Sequence, residues 1–199
     1  MEVSSIASAV KLLVPVLPLL KKVLIFETFF SLSSEKKAEA VAYLKTCVKE
    51  DDALDAYQQE LKLSEYKMTN DYALSDYAIR FYLLDRKKHS GFCKSIFNGK
   101  SLYDYANSEL VIKKNVFWFP LFMLLIGIMA AVGAWFTWSN ESLGAWKWFY
   151  AGGSALVAVQ YLIYSSWLLL SYRHLIRYAR KFNIFILRMR IKRALRNLK

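Results

Sequence analysis

An all-α fold is predicted by three features of the chain: two long apolar runs, a series of capped amphipathic stretches before them, and a basic segment free of acids after them. The runs are Val116–Trp138 and Trp146–Leu170. At about 1.5 Å of rise per helical residue, either one suffices to cross a hydrocarbon core about 30 Å thick. The expected organisation is an apolar N-terminal segment (1–33), interfacial or packed in a bundle, then a small helical cytosolic domain (34–115). A transmembrane helix (116–138), an external turn (139–145), a second transmembrane helix (146–170) and a basic cytoplasmic tail (171–199) follow.

The N-terminal segment is apolar over Leu12–Leu20 but carries Pro15 and Pro18, which remove amide donors, and Lys21, Lys22 and Glu27, which are costly in lipid. An interfacial or bundle-packed helix over Ile6–Phe30 is expected, rather than a third span. Glu2 and Lys11, with no clear cleavage site, argue against a signal peptide.

The next stretches read as amphipathic helices whose apolar stripes build a core. Ser34 is placed to cap a helix through about Glu50, with Ala38, Val41, Leu44 and Val48 on one face. Asp51 or Asp52 starts a second through about Leu63, with Leu54, Tyr57 and Leu61 as its stripe. A third runs from Asn70 or Asp71 to about Lys87, with Ala73, Tyr77, Arg80, Phe81 and Leu84 along one side. His89–Asn115 is less regular because Gly91, Gly99 and Asn107 interrupt it; Leu102–Ala106 is expected as a helix and Leu110–Ile112 as a short extended link.

Charge sets the expected direction of the hairpin. The chain has 28 basic and 16 acidic residues, a net +12. Ten of the bases lie between Tyr172 and Lys199 with no acid, so all the other residues together carry only +2. Lys113 and Lys114 precede the first run, whereas the turn offers Glu141, so positive flanks place both termini in the cytoplasm of an inner membrane. Lys147 lies close enough to the boundary for its stem to carry the ammonium to the headgroups. Trp135, Trp138, Trp146 and Trp148 mark the outer ends and Trp118 and Trp167 the inner ends, as rings with one polar edge do.

The two spans differ. Gly127, Ala130, Ala131, Gly133 and Ala134 in the first, and Gly152, Gly153, Ser154, Ala155 and Ala158 in the second, allow close helix contact within one hairpin. The second span also carries Gln160, Tyr161, Tyr164 and Ser165. An amide in hydrocarbon seeks a partner, and these groups suit either a hydrogen-bonded helix contact or the lining of a homo-oligomeric pore. Gly153, Val157, Gln160 and Tyr164 share one helical face; Ser154, Ala158, Tyr161 and Ser165 share another.

Catalysis is not expected. His89 and His174 lack ligand spacing, the Asp pairs are explained by helix caps, and the chain has no Gly-rich phosphate loop, nucleophile elbow or zinc-protease motif. No cofactor or metal is expected, and Cys47 and Cys93 read as buried thiols of a reducing compartment. The chemistry on offer is cationic: Arg173, Arg177, Arg180, Lys181, Arg188, Arg190, Lys192, Arg193 and Arg196 on a helical tail. Such a helix beside a membrane binds anionic lipid, nucleic-acid phosphates with Tyr178, Phe182 or Phe185 stacking on bases, or an acidic protein.

Domain, two-span hairpin and basic end, best matched over Lys113–Lys199, resemble in architecture the compact membrane effectors of bacterial anti-phage systems, including those of some retrons. That resemblance implies an effector held inactive by a cytosolic protein or nucleoprotein, in retrons a reverse transcriptase with its single-stranded DNA, and released on infection to damage the membrane. Arg188, Arg190, Lys192, Arg193 and Arg196 would then touch that partner or anionic lipid, and the freed spans would associate. The competing expectation is a non-catalytic membrane anchor or subunit that recruits a cytosolic complex.

Overall fold

The structure is a computed structural model that describes residues 28–48, 52–144 and 146–197. The expected course of Ile6–Phe30 therefore lies outside the described residues as far as Glu27. The all-α class holds. Helices α1 (Ser34–Thr46), α2 (Ala53–Glu65), α3 (Tyr72–Leu84) and α4 (Arg86–Asn98) precede a two-stranded antiparallel hairpin, β1 (Tyr103–Ala106) and β2 (Glu109–Ile112). Two long helices, α5 (Trp118–Ser139) and α6 (Trp146–Asn197), complete it.

Each of the four short helices starts where a side chain accepts from its first free amides: Ser33, Asp52, Asp71 and Asp85. The α1 cap is thus one residue earlier than expected, and α1 stops at Thr46, short of Glu50. The third helix breaks at Asp85, whose φ of −153° ends α3 while its carboxylate caps α4. Gly91, expected as a breaker, lies inside α4, because there a Cβ would sit 2.7 Å from the His174 ring of α6.

Three expectations are corrected. Leu102–Ala106 is not a helix: β1 pairs Tyr103 with Ile112 and Tyr105 with Leu110. Asn107 and Ser108 make the tight turn in the left-handed region, at φ of 54° and 62°. The stripe Leu54, Tyr57 and Leu61 faces outward, at 72, 59 and 53% exposure, while α2 contributes Leu63 to the interior. In α1 the buried pair is Ala40 and Leu44, and Ala38 and Val48 are exposed.

The core joins Phe29, Leu74, Tyr77, Phe81, Phe92, Ile96 and Leu110 to Leu175, Phe182 and Ile186 of α6. Phe182 is fully buried, its ring centroid 5.2 Å from Phe92 and 5.3 Å from Phe81. Residue 170 is thus no element boundary. The segment expected as a separate tail continues the second apolar run in one 52-residue helix and fills the centre of the domain.

Both α5 and α6 are long and apolar enough to cross a membrane, with mean hydropathy of 2.3 and 1.4 in their richest windows. Only 11 and 17% of those windows are buried. A core helix of a soluble protein would be mostly buried; here Phe122, Leu125, Met129, Val132 and Phe136 of α5 form an exposed apolar sheath suited to lipid.

Candidate functional site

The site is α6 itself, whose inward face follows one rule from end to end. Ala151, Ser154, Ala158, Tyr161 and Ser165 are shielded along its first half, at alternating steps of three and four residues. The steps continue without a skip through Leu168, Tyr172, Leu175, Ala179, Phe182, Ile186 and Met189. A seven-residue repeat of this kind keeps one seam on one side of a long helix. Apart from Tyr161 its first half uses small residues, and it packs on α5, where a Cβ on Gly127 would lie 3.1 Å from Leu162. Apart from Ala179 its second half uses large ones, and it enters the domain core. No break or glycine lies between them: Gly152 and Gly153 sit near the start of α6, with open space around both.

That phase decides where the expected membrane residues point. Tyr161 and Ser165 lie in the hairpin seam; the Ser165 hydroxyl donates to the Leu162 carbonyl at 3.1 Å. Gln160 and Tyr164, with Gly153 and Val157, are exposed on the outer face. The four do not converge on one surface.

Arg173, Arg177, Arg180, Lys181, Arg188, Arg190, Lys192, Arg193 and Arg196 are all exposed, but they fall into two groups along the axis. Arg173 and Arg177 lie about 5 and 10 Å beyond Leu170 at 1.5 Å per residue. With Phe117, Leu169, Tyr172 and Ile176 they line an open cleft of about 440 Å³ where the apolar stretch ends. Arg177 and Lys181 flank the Tyr178 ring, 5.6 and 5.9 Å from its centroid. Lys192 lies about 33 Å beyond Leu170, several times the screening length of about 8 Å at physiological salt.

Base stacking by Tyr178 or Phe182 is excluded, because both are buried, at 9 and 0% exposure. Phe185 is half-buried, its ring 5.5 Å from Phe81. Arg80 was expected on an apolar stripe; it instead projects from α3 toward the distal cations. Its Nε donates to Asp76 Oδ1 at 2.7 Å, and Arg193 Nη2 donates to Asp76 Oδ2 at 2.6 Å. Arg193 also lies 5.3 Å from the Tyr77 ring centroid.

His89 and Cys93 both meet backbone carbonyls of α3. His89 Nδ1 lies 2.8 Å from the Phe81 carbonyl and its ring stacks on Phe81 at 4.0 Å. The Cys93 thiol donates to the Ala78 carbonyl, and burial pushes its pKa up to about 12. Cys47 is half-buried, its thiol donating to the Tyr43 carbonyl at 3.5 Å, and neither cysteine is in a disulfide. Among the described residues no three metal-ligating side chains gather. Compared with protein-family models, curated proteins and solved structures, the chain matches none.

Proposed function

We propose that the chain is an integral membrane effector: a two-span protein of a bacterial inner membrane, both termini cytoplasmic, whose hairpin perturbs the bilayer under control of the cytosolic domain. The observation that carries this reading is the uninterrupted seam of α6, mostly small residues against α5 and mostly large residues in the domain core. A helix is stiff, and without a joint a rotation or tilt imposed on Phe182 and Ile186 reaches Ala151 and Ala158. The outer face, Gly153, Val157, Gln160 and Tyr164, is the surface on which further copies would associate once the domain is released, because Gln160 would otherwise meet lipid unpaired. The charge asymmetry of the flanks supports the orientation. The resemblance to anti-phage effectors supplies the setting, an abortive-infection response restrained by a cytosolic protein or nucleoprotein.

The test is inducible expression in bacteria with a membrane-potential dye, together with purified full chain in liposomes loaded with a self-quenching dye. Depolarisation and dye release are the expected results. Intact potential and no release, with and without phage challenge, would overturn the effector reading.

The alternative, a non-catalytic anchor or subunit, is favoured by the outward row Leu54, Tyr57 and Leu61, a face suited to a bound protein. An anchor would leave the potential intact and lose its bound complex when Leu54 and Leu61 are changed to Ser.

A further inference from the structure

The seam of α6 changes character at its last two steps. Seven residues beyond Ile186 and Met189, the inward positions are Arg193 and Arg196. They turn toward α3, where Arg80 is waiting, and with Lys192 and Met189 these residues line a cleft of about 240 Å³ between the two helices. Four cations therefore meet in this cleft, two of them, Arg193 and Arg196, at positions where the preceding seam would place apolar side chains.

The counter-charge in hand does not balance them. Asp76 bridges Arg80 and Arg193 through its two oxygens and fixes both guanidiniums, but one carboxylate against four cations leaves +3. The C-terminal end of α6 adds the equivalent of about half a negative charge. A local surplus remains, with Arg80 and Arg193 held in place by Asp76, and it suits an anion of two or more charges.

We infer that the α3–α6 cleft, built by Arg80, Lys192, Arg193 and Arg196, binds the phosphates of a compact polyphosphate, as carried by a nucleoside di- or triphosphate or by inorganic polyphosphate. Planar guanidiniums suit phosphate oxygens in bidentate geometry, and Asp76 holds two of them ready. The size of the cleft fits a short phosphate chain and leaves the rest of a nucleotide outside. Lipid headgroups are too far along α6, on the reading that the hairpin crosses the membrane. Nucleic acid is disfavoured because the cations converge on one point and the neighbouring rings are buried or half-buried, giving no stacking platform. A bound phosphate chain would tie α3 to α6, which deepens the functional proposal by naming what the domain senses. The inference stands on binding, whereas that proposal stands on membrane leakage, so either can fail alone.

The experiment is calorimetric titration of the full chain in neutral detergent, at physiological ionic strength, with inorganic triphosphate, with ATP and with a single-stranded oligonucleotide. Saturable binding of triphosphate or ATP is expected. Tighter binding of ATP supports a nucleotide as the source, and equal affinities support inorganic polyphosphate. The Lys192→Gln/Arg196→Gln pair, which spares the Asp76 bridge, should weaken binding about tenfold or more through two lost charge-assisted contacts. The Arg173→Gln/Arg177→Gln pair, beyond screening range, should change it less than about twofold. No saturable binding of either anion, equal weakening by both pairs, or oligonucleotide binding that triphosphate does not displace would overturn the inference.

Discussion

Asn183 of α6 and Leu110 of β2 pair as two strand residues do: the Leu110 amide donates to Asn183 Oδ1 at 3.0 Å, and Asn183 Nδ2 donates to the Leu110 carbonyl at 3.0 Å. One side chain thus completes the edge of a two-stranded hairpin that would be marginal alone. Asn183→Ala leaves both backbone groups of Leu110, itself 2% exposed, without that partner. The expected cost is about 1–3 kcal/mol for each unpaired group, read as a lower melting temperature of the full chain in detergent. An unchanged melting curve would show that the hairpin does not depend on α6.

The glycines of α5 make a paired test of the membrane seam. A Cβ on Gly127 would lie 3.1 Å from the Leu162 side chain and 3.2 Å from its backbone nitrogen, whereas Gly133 has open space. Gly127→Ala should loosen the hairpin by about 1–3 kcal/mol, the usual range for overpacking. Gly133→Ala should not, and thermal melts of the two variants in one detergent compare them directly.

Phase along α6 gives a sharper result than any point substitution. One alanine inserted between Leu170 and Ser171 turns the domain-facing half about 100° against the membrane half. Seven inserted residues restore the phase while adding about 10 Å. On the proposed effector function, the one-residue insertion should uncouple leakage from the domain, and the seven-residue insertion should largely restore control. Identical leakage from both would count against mechanical coupling.

Anionic lipid should sense only the proximal cations. Arg173→Gln/Arg177→Gln is expected to lower the anionic-lipid preference of the reconstituted chain by about 1 kcal/mol per charge. Lys192→Gln/Arg196→Gln should leave it unchanged, as measured by lipid co-purification.

Much of this was legible in the sequence. The apolar runs, the caps at Asp52 and Asp71 and the excess of charge at one end are local signals, and helix class, two long apolar helices and cationic character follow from them. The fate of the last 29 residues was not local. Residue type alone does not say whether the apolar side chains of that segment, Phe182 among them, meet lipid, a base or the protein's own core. The three-four spacing of Tyr172, Leu175, Ala179, Phe182 and Ile186, in phase with Ala158 and Ser165, was the signal that joins tail to span. Asn107 marked the turn, but four residues are too few for periodicity to tell the strand Tyr103–Ala106 from a helix, and Arg80 hid among apolar neighbours on α3.

Burial of Cys93 makes its chemistry a measure of the folded state. With its pKa pushed up from 9.0 to about 12, and that of Tyr103 also raised by burial, both groups favour the folded protein while protonated. Their contribution is complete below the unfolded values and is lost as pH climbs through the folded ones, for Cys93 between about 9 and 12. Alkaline unfolding should begin in that window, followed by circular dichroism. At neutral pH, alkylation followed by mass spectrometry should label Cys47 well before Cys93.

The course of α6 also orders the protein's birth. Synthesis delivers Phe81 and Phe92 first, then both apolar runs, and only afterwards Leu175, Phe182 and Ile186, which fill the space between them. The nascent domain must wait with an open centre until the second run has left the ribosome. The domain therefore closes only after both apolar runs have been made, and a chain cut short after Leu170 would leave Phe81 and Phe92 without the side chains that cover them.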